Sequence, residues 1–278
     1  MLHVIKGIIL AFVFNVSHIH NAFIFKGTSN MLDLHCHILP GIDDGSKNSE
    51  MSSVLLTEEQ KQGVNAIVFT PHFNTLRISL EEFLKAREHS YKRLMELPAA
   101  KELGIKFKLG AEVYFSTRLN EMELDELCFM DTNYILIEFP TDEKPYGLTH
   151  TVVDIINRGY QPILAHVERY PYFTSDPTRL YDLVEKGCIV QINAGAIIQG
   201  NKIAMKYIKW GMAQLICTDC HDPEKRSPNL REAYSIVKKK FGEDYVDWFD
   251  RNARNVFLGK YVDMPQPKMP KKVMGIWI

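Results

Sequence analysis

The sequence contains histidines and carboxylates whose types and spacing are those of metal ligands. His35 and His37 lie two residues apart at the end of a short apolar run that begins at Leu32. Side chains two residues apart on a strand point to the same face, so both imidazoles can reach one metal ion. A turn containing proline and glycine follows and carries Asp44 past the same point. These residues predict a metal site, because imidazole and carboxylate ligands converge at one strand end.

Further histidines and carboxylates follow other apolar runs along the chain. The full set of candidate ligands comprises His35, His37, Asp44, His72, Glu112, Glu138, His166, Asp219 and His221. Any one of these side chains could instead cap a loop or pair with a lysine. Their recurrence at successive strand ends favours one shared site. Mixed histidine and carboxylate ligation suits manganese, zinc or iron rather than calcium.

The elements that must position these ligands alternate between strand and helix. Short apolar strands are predicted at residues 32–36, 66–69, 105–113, 134–140, 162–166, 188–193 and 213–217. This alternation predicts a parallel sheet with helices on both faces. A closed β/α barrel collects catalytic residues at the C-terminal ends of its strands, whereas an open doubly wound sheet gathers ligands at one switch point. The spread of candidates over many strand ends therefore favours the barrel.

Helix boundaries follow from capping residues. Asn48 or Ser49 can cap a first helix that ends near Gly63, and Ser79 with Glu82 forms a capping box for a second. Further helices are predicted at residues 117–127, 148–158, 176–186, 201–210, 229–241 and 243–252.

Composition and charge place the chain among ordinary globular proteins. Its 278 residues are 46% hydrophobic and 24% charged, which is ample for a core and typical of soluble proteins. A formal net charge of −1 gives no general electrostatic reason to expect a nucleic-acid partner. The five cysteines lack zinc-finger spacing, and their odd number favours a reducing compartment, here the cytoplasm.

The first thirty residues differ from the rest. No Asp, Glu, Lys or Arg occurs from Gly7 to Phe25, and this length approaches the roughly 20 residues that span a bilayer. Polar residues such as Asn15 and His18 interrupt the segment. We predict an N-terminal extension over residues 1–30, either an anchor or a non-native start ahead of Met31. A barrel domain is expected over residues 31–260 and a Pro/Lys-containing tail over 261–278.

The motifs around these ligands resemble a known family. They are His35-Cys-His-Ile-Leu-Pro-Gly-Ile-Asp-Asp-Gly45, Thr70-Pro-His72, Gly110-Ala-Glu-Val-Tyr114, Ile137-Glu-Phe-Pro140, Leu164-Ala-His-Val-Glu-Arg-Tyr170 and Thr218-Asp-Cys-His221. From about residue 31 to about residue 259 the chain resembles the PHP (polymerase and histidinol phosphatase) superfamily, and within it the bacterial CpsB-type protein-tyrosine phosphatases. The resemblance implies a distorted (β/α)7 barrel of the PHP type, with a multinuclear metal site at the C-terminal ends of the strands. Val167 stands where the family more often has proline, and we expect only a local backbone effect.

The resemblance also implies roles for individual residues. It assigns His35, His37, Glu112 and Asp219 to one metal, Glu112, Glu138 and His166 to a second, and Asp44, His72 and His221 to a third. The metal is usually Mn²⁺, with Zn²⁺, Fe or Co²⁺ as other candidates. Arg169 and Arg226 match arginines that hold the substrate phosphate, for which a guanidinium offers a bidentate fork. His221 or His166 could assist the leaving group.

The implied function is hydrolysis of phosphotyrosine by a metal-activated hydroxide. The implied partner is a phosphotyrosine protein, a bacterial tyrosine kinase that regulates capsular or exopolysaccharide synthesis. Contact with a membrane is expected only through this partner or the N-terminal segment. Two alternatives stay open: a phosphatase of a small phosphomonoester such as histidinol phosphate, and a metal-binding regulator without turnover.

A second phosphatase chemistry must be weighed against the first. Cys220 and Arg226 have the spacing of the cysteine-dependent tyrosine phosphatases, in which a thiolate attacks the phosphate. The intervening loop contains Asp222, Pro223 and Glu224, which add two negative charges and remove one backbone N–H. Such a loop is poorly suited to a dianion, because anion-binding loops need free amides. The metal mechanism is therefore favoured.

Loops after the strands are expected to surround an open site. Residues 76–80 and 142–148 follow the second and fourth predicted strands and could form part of the rim. Tyr146, Tyr170, Tyr172 and Phe173 are either aromatic surface beside the site or core residues.

Overall fold

The computed structural model describes residues 31–278, so the predicted N-terminal extension lies outside the described residues. The strands are β1 Met31–Cys36, β2 Val64–Phe69, β3 His72–Phe73, β4 Lys106–Leu109, β5 Glu112–Tyr114, β6 Tyr134–Glu138, β7 Gln161–Leu164, β8 Ile189–Asn193, β9 Leu215–Cys217, β10 Lys272–Val273 and β11 Ile276–Trp277. The helices are α1 Ser49–Gln62, α2 Leu80–Met95, α3 Pro98–Glu102, α4 Leu148–Asn157, α5 Pro171–Thr174, α6 Thr178–Glu185, α7 Ala194–Ile198, α8 Lys202–Lys209, α9 Leu230–Phe241 and α10 Glu243–Phe257.

Two parallel sheets place the candidate ligands. One has the order β1-β2-β4 and the other β3-β5-β6-β7-β8-β9. Hydrogen bonds connect the end of β1 with the segment after β9, since the His37 amide donates to the Cys220 carbonyl at 2.9 Å and the Asp219 amide donates to the His35 carbonyl at 2.8 Å. The prediction of an α/β protein with parallel strands is confirmed.

The strand predicted at residues 105–113 is instead two short strands, β4 and β5. Gly110 lies at the break, where an added Cβ would come within 2.6 Å of the Phe129 ring. Its amide still donates to the Phe69 carbonyl at 2.9 Å, and the Glu112 amide donates to the Pro71 carbonyl at 3.1 Å. The same kind of break separates β2 from β3. As a result, His72 and Glu112 begin short strands and are paired in register.

The helix caps agree with the sequence for the first two helices. The Asn48 side chain accepts from the Met51 amide, Gly63 is left-handed with φ 91°, and Ser79 and Glu82 form the capping box.

The helix predicted at residues 117–127 is wrong. Two 3-10 turns occur instead, over Thr117–Glu121 and Asp125–Leu127, and Met122 between them is extended. The Arg158 guanidinium donates to the carbonyls of Leu119 and Met122. A tertiary contact therefore stabilises the carbonyl groups that a continuous helix would have paired internally.

The C-terminal segment is tied to the body of the protein. Strands β10 and β11 form an antiparallel hairpin. The Lys268 amide donates to the Trp210 carbonyl at 2.7 Å, and the Trp277 indole donates to the Ser175 carbonyl at 3.0 Å. Within residues 31–278, none of the helices is both long and apolar enough to cross a membrane.

Candidate metal centre

All nine predicted ligands gather around one region of the sheets. His35 lies in β1 and His37 follows it, Glu138 ends β6, and His166, Asp219 and His221 come shortly after β7 and β9. His72 and Glu112 stand at the two strand breaks. Asp44 belongs to the turn after β1. The carboxyl ends of parallel strands meet at one edge, which explains why residues so distant in sequence are neighbours here.

The first group has the spacing of a single coordination shell. His35 Nε2 lies 3.2 Å from Glu112 Oε2 and 3.4 Å from Asp219 Oδ1. His37 Nε2 lies 3.1 Å and 3.5 Å from the same two oxygens. Bonds of roughly 2.0–2.2 Å to a tetrahedral ion would place neighbouring ligand atoms roughly 3.3–3.6 Å apart. The four side chains are almost fully buried and fit one ion.

A second group also contains Glu112 and uses both of its carboxylate oxygens. His166 Nε2 lies 2.8 Å from Glu112 Oε1 and 3.9 Å from Glu138 Oε1. His72 Nδ1 lies 3.1 Å from Glu112 Oε2 and 3.6 Å from Glu138 Oε2. Glu112 therefore faces two groups at once, as a bridging carboxylate would.

The third group is more exposed. Asp44 Oδ1 lies 3.3 Å from His72 Nε2 and 3.4 Å from His221 Nε2. The His37 ligand atom also lies within 4.8 Å of these three. The sequence assigns His37 to the first group and His72 to the third. In the structure His37 also lies near the third group, and His72 also lies near the second.

Three buried atoms in these groups form no hydrogen bond among the described residues, although imidazole nitrogens or a carboxylate oxygen lie 3.1–3.6 Å from each of them. They are Glu112 Oε2, Asp219 Oδ1 and His221 Nε2. Leaving a buried polar atom unpaired costs about 1–3 kcal/mol, and more for a charged group. Bound cations would satisfy all three, so the donor set fits a multinuclear metal centre.

The protein itself makes the centre strongly polar. Burial tends to lower the pKa of His35, but the charges of Glu112 and Asp219 outweigh burial and raise this pKa to about 9. Burial also lowers the pKa of His221, assisted by the nearby charge of His37, to about 4. Burial raises the pKa of Glu138, and the Glu112 charge adds to this effect. Neighbouring groups in one site are thus held in different protonation states before any metal binds.

A supporting set of residues orients the ligands; the sequence interpretation placed the Asp43 carboxylate near the site but predicted no orienting role for it or for the other residues of the set. Asp43 Oδ2 lies 2.8 Å from His37 Nδ1, so the opposite ring nitrogen faces Glu112 and Asp219. Gln191 Oε1 lies 3.2 Å from His35 Nδ1 and accepts from the His166 amide at 2.8 Å. A carboxylate or amide on the outer nitrogen fixes the tautomer of a ligating imidazole.

Asn193 and Tyr170 complete this support. The Asn193 amide group donates to Asp219 Oδ2 at 2.8 Å, and its own oxygen accepts from Gln191 at 2.8 Å. The Tyr170 hydroxyl lies 3.0 Å from His166 Nδ1. Gln191 and Asn193 are two apart in β8 and hence share a face, a spacing visible in the sequence as polar residues within an apolar run.

The two predicted phosphate-binding arginines both reach the centre. Arg169 Nη1 lies 3.3 Å and Arg226 Nη2 lies 2.5 Å from Asp219 Oδ2. Both side chains remain partly exposed, at 44% and 37%. Each guanidinium therefore has donors left for a ligand in the open part of the site.

The loop from Cys220 to Arg226 lacks the features of a phosphate cradle. The amides of His221 and Asp222 donate to the Arg226 carbonyl, and those of Glu224 and Lys225 donate to the Asp222 carboxylate. Cys220 is fully buried, with its sulfur 3.5 Å from Glu59 Oε1. A thiolate mechanism needs an accessible sulfur and free amides, and this loop offers neither.

A cavity of about 690 Å³ opens beside the third group. Asp44, His72 and Glu138 line its inner side, and the predicted rim contributes Leu76, Arg77 and Ile78.

Of the aromatic residues, Tyr146 is 95% exposed, whereas Tyr170, Tyr172 and Phe173 are buried. These three are core residues.

The fold and the ligand groups define a class, the α/β proteins with candidate metal-ligand groups at the carboxyl ends of parallel strands. Comparison with known proteins identifies the family within it. The chain belongs to the capsular polysaccharide synthesis family CpsB/CapC, whose model matches residues 31–258. The family predicted from the motifs is thereby confirmed.

Named relatives and a solved structure match over most of the chain. The tyrosine-protein phosphatase YwqE of Bacillus subtilis (strain 168) is 30% identical over 258 residues, covering 89% of this chain and 100% of the relative. The tyrosine-protein phosphatase CpsB of Streptococcus pneumoniae is 31% identical over 252 residues, covering 84% and 100%. A crystal structure from work on these two proteins, described as unique metal-dependent tyrosine phosphatases, superposes with a TM-score of 0.78 at 28% identity, covering 87% and 100%.

Proposed function

We propose that the protein hydrolyses phosphotyrosine in proteins with a manganese centre built from the nine predicted ligands. The observation that carries the proposal is the set of buried ligand atoms on Glu112, Asp219 and His221 that face one another without forming a hydrogen bond, beside two arginines that reach the Asp219 carboxylate. The enzyme class predicted from the sequence, a metal-dependent tyrosine phosphatase, is confirmed by the names of the family members.

The proposed ligand sets keep the sequence assignments. One ion is held by His35, His37, Glu112 and Asp219, a second by Glu112, Glu138 and His166, and a third by Asp44, His72 and His221. The short distances within each set support these assignments. Because Glu112 belongs to both the first and the second set, its position supports a centre in which the first and second ions are neighbours.

The chemistry divides between the ions and the side chains. Bound metal ions would supply a hydroxide nucleophile near neutral pH and spread the charge of the transferring phosphoryl group. Arg169 and Arg226 bind two phosphoryl oxygens and orient the phosphorus for in-line attack. Their guanidinium charges stabilise the transition state more than the ground state, because charge develops on those oxygens. The phenolate is already a fair leaving group and needs no strong general acid; His221, whose pKa is lowered to about 4, is neutral near pH 7 and serves as a ligand.

The proposed architecture is a distorted (β/α)7 barrel. Its support comes from the hydrogen bonds between β1 and the segment after β9, and from the bonds that continue β2 into β3 and β4 into β5. Counting each interrupted pair as one strand gives seven strands in circular order. The proposed domain division is an N-terminal extension over residues 1–30, the barrel over 31–260 and the tail over 261–278.

The proposed substrate is a phosphorylated tyrosine kinase of capsular or exopolysaccharide synthesis, met in the cytoplasm. The role of the family in capsular polysaccharide synthesis supports this partner. The cavity of about 690 Å³ beside the centre has room for an aromatic ring, and phosphotyrosine is longer than phosphoserine, so the cavity favours phosphotyrosine over phosphoserine.

Metal removal tests the proposal. The protein is stripped with a chelator, its metal content is measured, and Mn²⁺, Co²⁺, Zn²⁺ or Fe²⁺ is added back before assay on a phosphotyrosine peptide. Activity should vanish on stripping and return best with Mn²⁺. Full activity in protein shown to be free of metal would refute the metal mechanism.

A further inference from the structure

The cavity beside the metal centre has a second charged feature outside the ligand groups. Arg77 lines it, and so do the apolar or aromatic side chains of Leu76, Ile78 and Tyr114. Leu76 is 64% exposed, so this wall is open to a chain arriving from solvent. The wall therefore combines a cation with apolar surface, a combination suited to a peptide segment rather than to a phosphate alone.

Arg77 forms no ion pair within residues 31–278, although the carboxylates of Asp43, Asp44 and Glu138 line the same cavity. None of the acidic groups in this part of the chain lies within ion-pairing distance of its guanidinium, whereas both Arg169 and Arg226 contact Asp219. A turn at Asn74 orders the backbone around Arg77. The Asn74 carbonyl accepts from the Arg77 amide at 2.9 Å, and the Asn74 side chain accepts from the Leu76 amide at 2.9 Å. The turn thus fixes the backbone at residue 77, from which the exposed side chain extends along the wall.

Arg77 and Tyr114 line the same cavity. Burial raises the pKa of the Tyr114 phenol, the charges of Glu138 and Asp142 add to this rise, and the Arg77 charge opposes it. Tyr114 itself belongs to β5, two residues after Glu112. Arg77 therefore flanks the entrance to the centre on the side of Asp44 and Glu138, whereas the two phosphate-binding arginines flank it on the side of Asp219.

We propose that Arg77 forms a subsite for an acidic side chain close to the phosphotyrosine of the substrate. The inference rests on the proposed function and names the sequence that the enzyme prefers. With the phosphoryl group held by the centre, Arg169 and Arg226, a neighbouring residue of the peptide lies along the wall formed by Leu76 and Tyr114. A glutamate or aspartate there accepts a bidentate hydrogen bond from the guanidinium.

The test compares peptides that differ at one position. Matched phosphotyrosine peptides carry Glu, Gln or Lys beside the phosphotyrosine, a fourth carries a second phosphotyrosine, and phenyl phosphate serves as a substrate without flanking residues. The native chain should favour the Glu peptide over the Gln peptide by about 5- to 10-fold in kcat/KM, mainly through KM, as expected for one charge-assisted hydrogen bond. A higher kcat/KM for the peptide with a second phosphotyrosine than for the Glu peptide would mean that the subsite binds a phosphate in preference to a carboxylate.

Variants then assign the preference to one residue. Arg77→Ala should bring the Glu-to-Gln ratio close to one, Arg77→Lys should keep part of it, and Arg77→Glu should favour the Lys peptide. The matched control is Arg251→Ala, which removes an exposed arginine of α10 and should leave the ratio as in the native chain. The loss caused by Arg77→Ala should be larger on the Glu peptide than on phenyl phosphate.

Two results separate this inference from the function on which it rests. A ratio that stays unchanged in Arg77→Ala, or an equal loss on phenyl phosphate, would overturn the subsite while leaving the phosphatase intact. Failure of the native chain to hydrolyse any phosphotyrosine peptide would overturn the proposed function itself.

Discussion

Asp43 Oδ2 lies 2.8 Å from Nδ1 of His37, and this contact turns the other nitrogen of the ring toward Glu112 and Asp219. The same carboxylate oxygen accepts from the His72 amide at 3.2 Å, and Oδ1 accepts from Gly45 at 3.0 Å. Asp43 thus connects two predicted ligands with the turn after β1, although it belongs to none of the proposed ligand sets.

Asp43→Asn should weaken metal binding without removing a ligand. The substituted amide keeps the shape but loses the charge that holds His37 in the required tautomer, and such losses cost about 10- to 100-fold in metal affinity. Calorimetric titration with Mn²⁺ measures the change, and excess Mn²⁺ should restore much of the activity. Asp222→Asn is a control, because Asp222 is partly exposed and bonds only within its own loop. Equal Mn²⁺ affinity in the native chain and Asp43→Asn would contradict the orienting role.

Arg169→Ala should lower kcat/KM for a phosphotyrosine peptide by roughly 10²-fold or more, the magnitude of losing one transition-state charge contact. Arg169→Lys should recover only part of this loss, because an ammonium lacks the bidentate fork. Metal content, measured by elemental analysis, should remain that of the native chain. A loss of bound metal that parallels the loss of activity would show that Arg169 stabilises Asp219 instead of binding phosphate.

Cys220→Ser should keep most of the activity, since the thiol is fully buried beside Glu59. His35→Ala and Asp219→Ala should instead abolish activity together with metal binding. Steady-state kinetics and metal analysis of the three variants form one comparison. An inactive Cys220→Ser protein that retains its metal and its fold would revive the thiolate mechanism.

Metal affinity should rise with pH well into the alkaline range. In the metal-free protein the pKa of His35 is about 9, so this imidazole is protonated at pH 7 and must lose its proton to bind a cation. Each displaced proton makes the apparent dissociation constant fall by about tenfold per pH unit below that pKa. Calorimetric titrations of the metal-free protein with Mn²⁺ are carried out at pH 6, 7 and 8. Repeating them in buffers of different ionisation enthalpy measures metal affinity and proton release together. A constant affinity above pH 6.5 would mean that His35 is neutral before metal binds.

The ligands could be predicted from the sequence because strand ends are visible as apolar runs that stop at a histidine or carboxylate. The strand break at Gly110 was not predictable in the same way, since the alternation of Ile105, Phe107 and Leu109 with lysines is that of one strand until the Phe129 ring is placed against Gly110. The helix predicted at 117–127 failed because Arg158, distant in sequence, binds its carbonyls.

The supporting residues depend on contacts that sequence spacing does not reveal. Gln191 is visible in the sequence as a polar residue within an apolar strand, but its two partners, His35 and the His166 amide, are far apart along the chain and are revealed only by the fold. Arg77 belonged to the predicted rim, but its position beside Tyr114 and its lack of an acidic partner in the described residues became visible only with the fold.

The most direct measurement is a comparison of kcat/KM for the Mn²⁺-loaded protein on a phosphotyrosine peptide, its phosphoserine counterpart and histidinol phosphate. The cavity beside the centre, with Tyr114 and Leu76 on its wall, predicts that the phosphotyrosine peptide is preferred over both by at least about tenfold, the effect of roughly 1.4 kcal/mol. A clear preference for histidinol phosphate would leave the metal centre in place but contradict the assignment as a protein-tyrosine phosphatase.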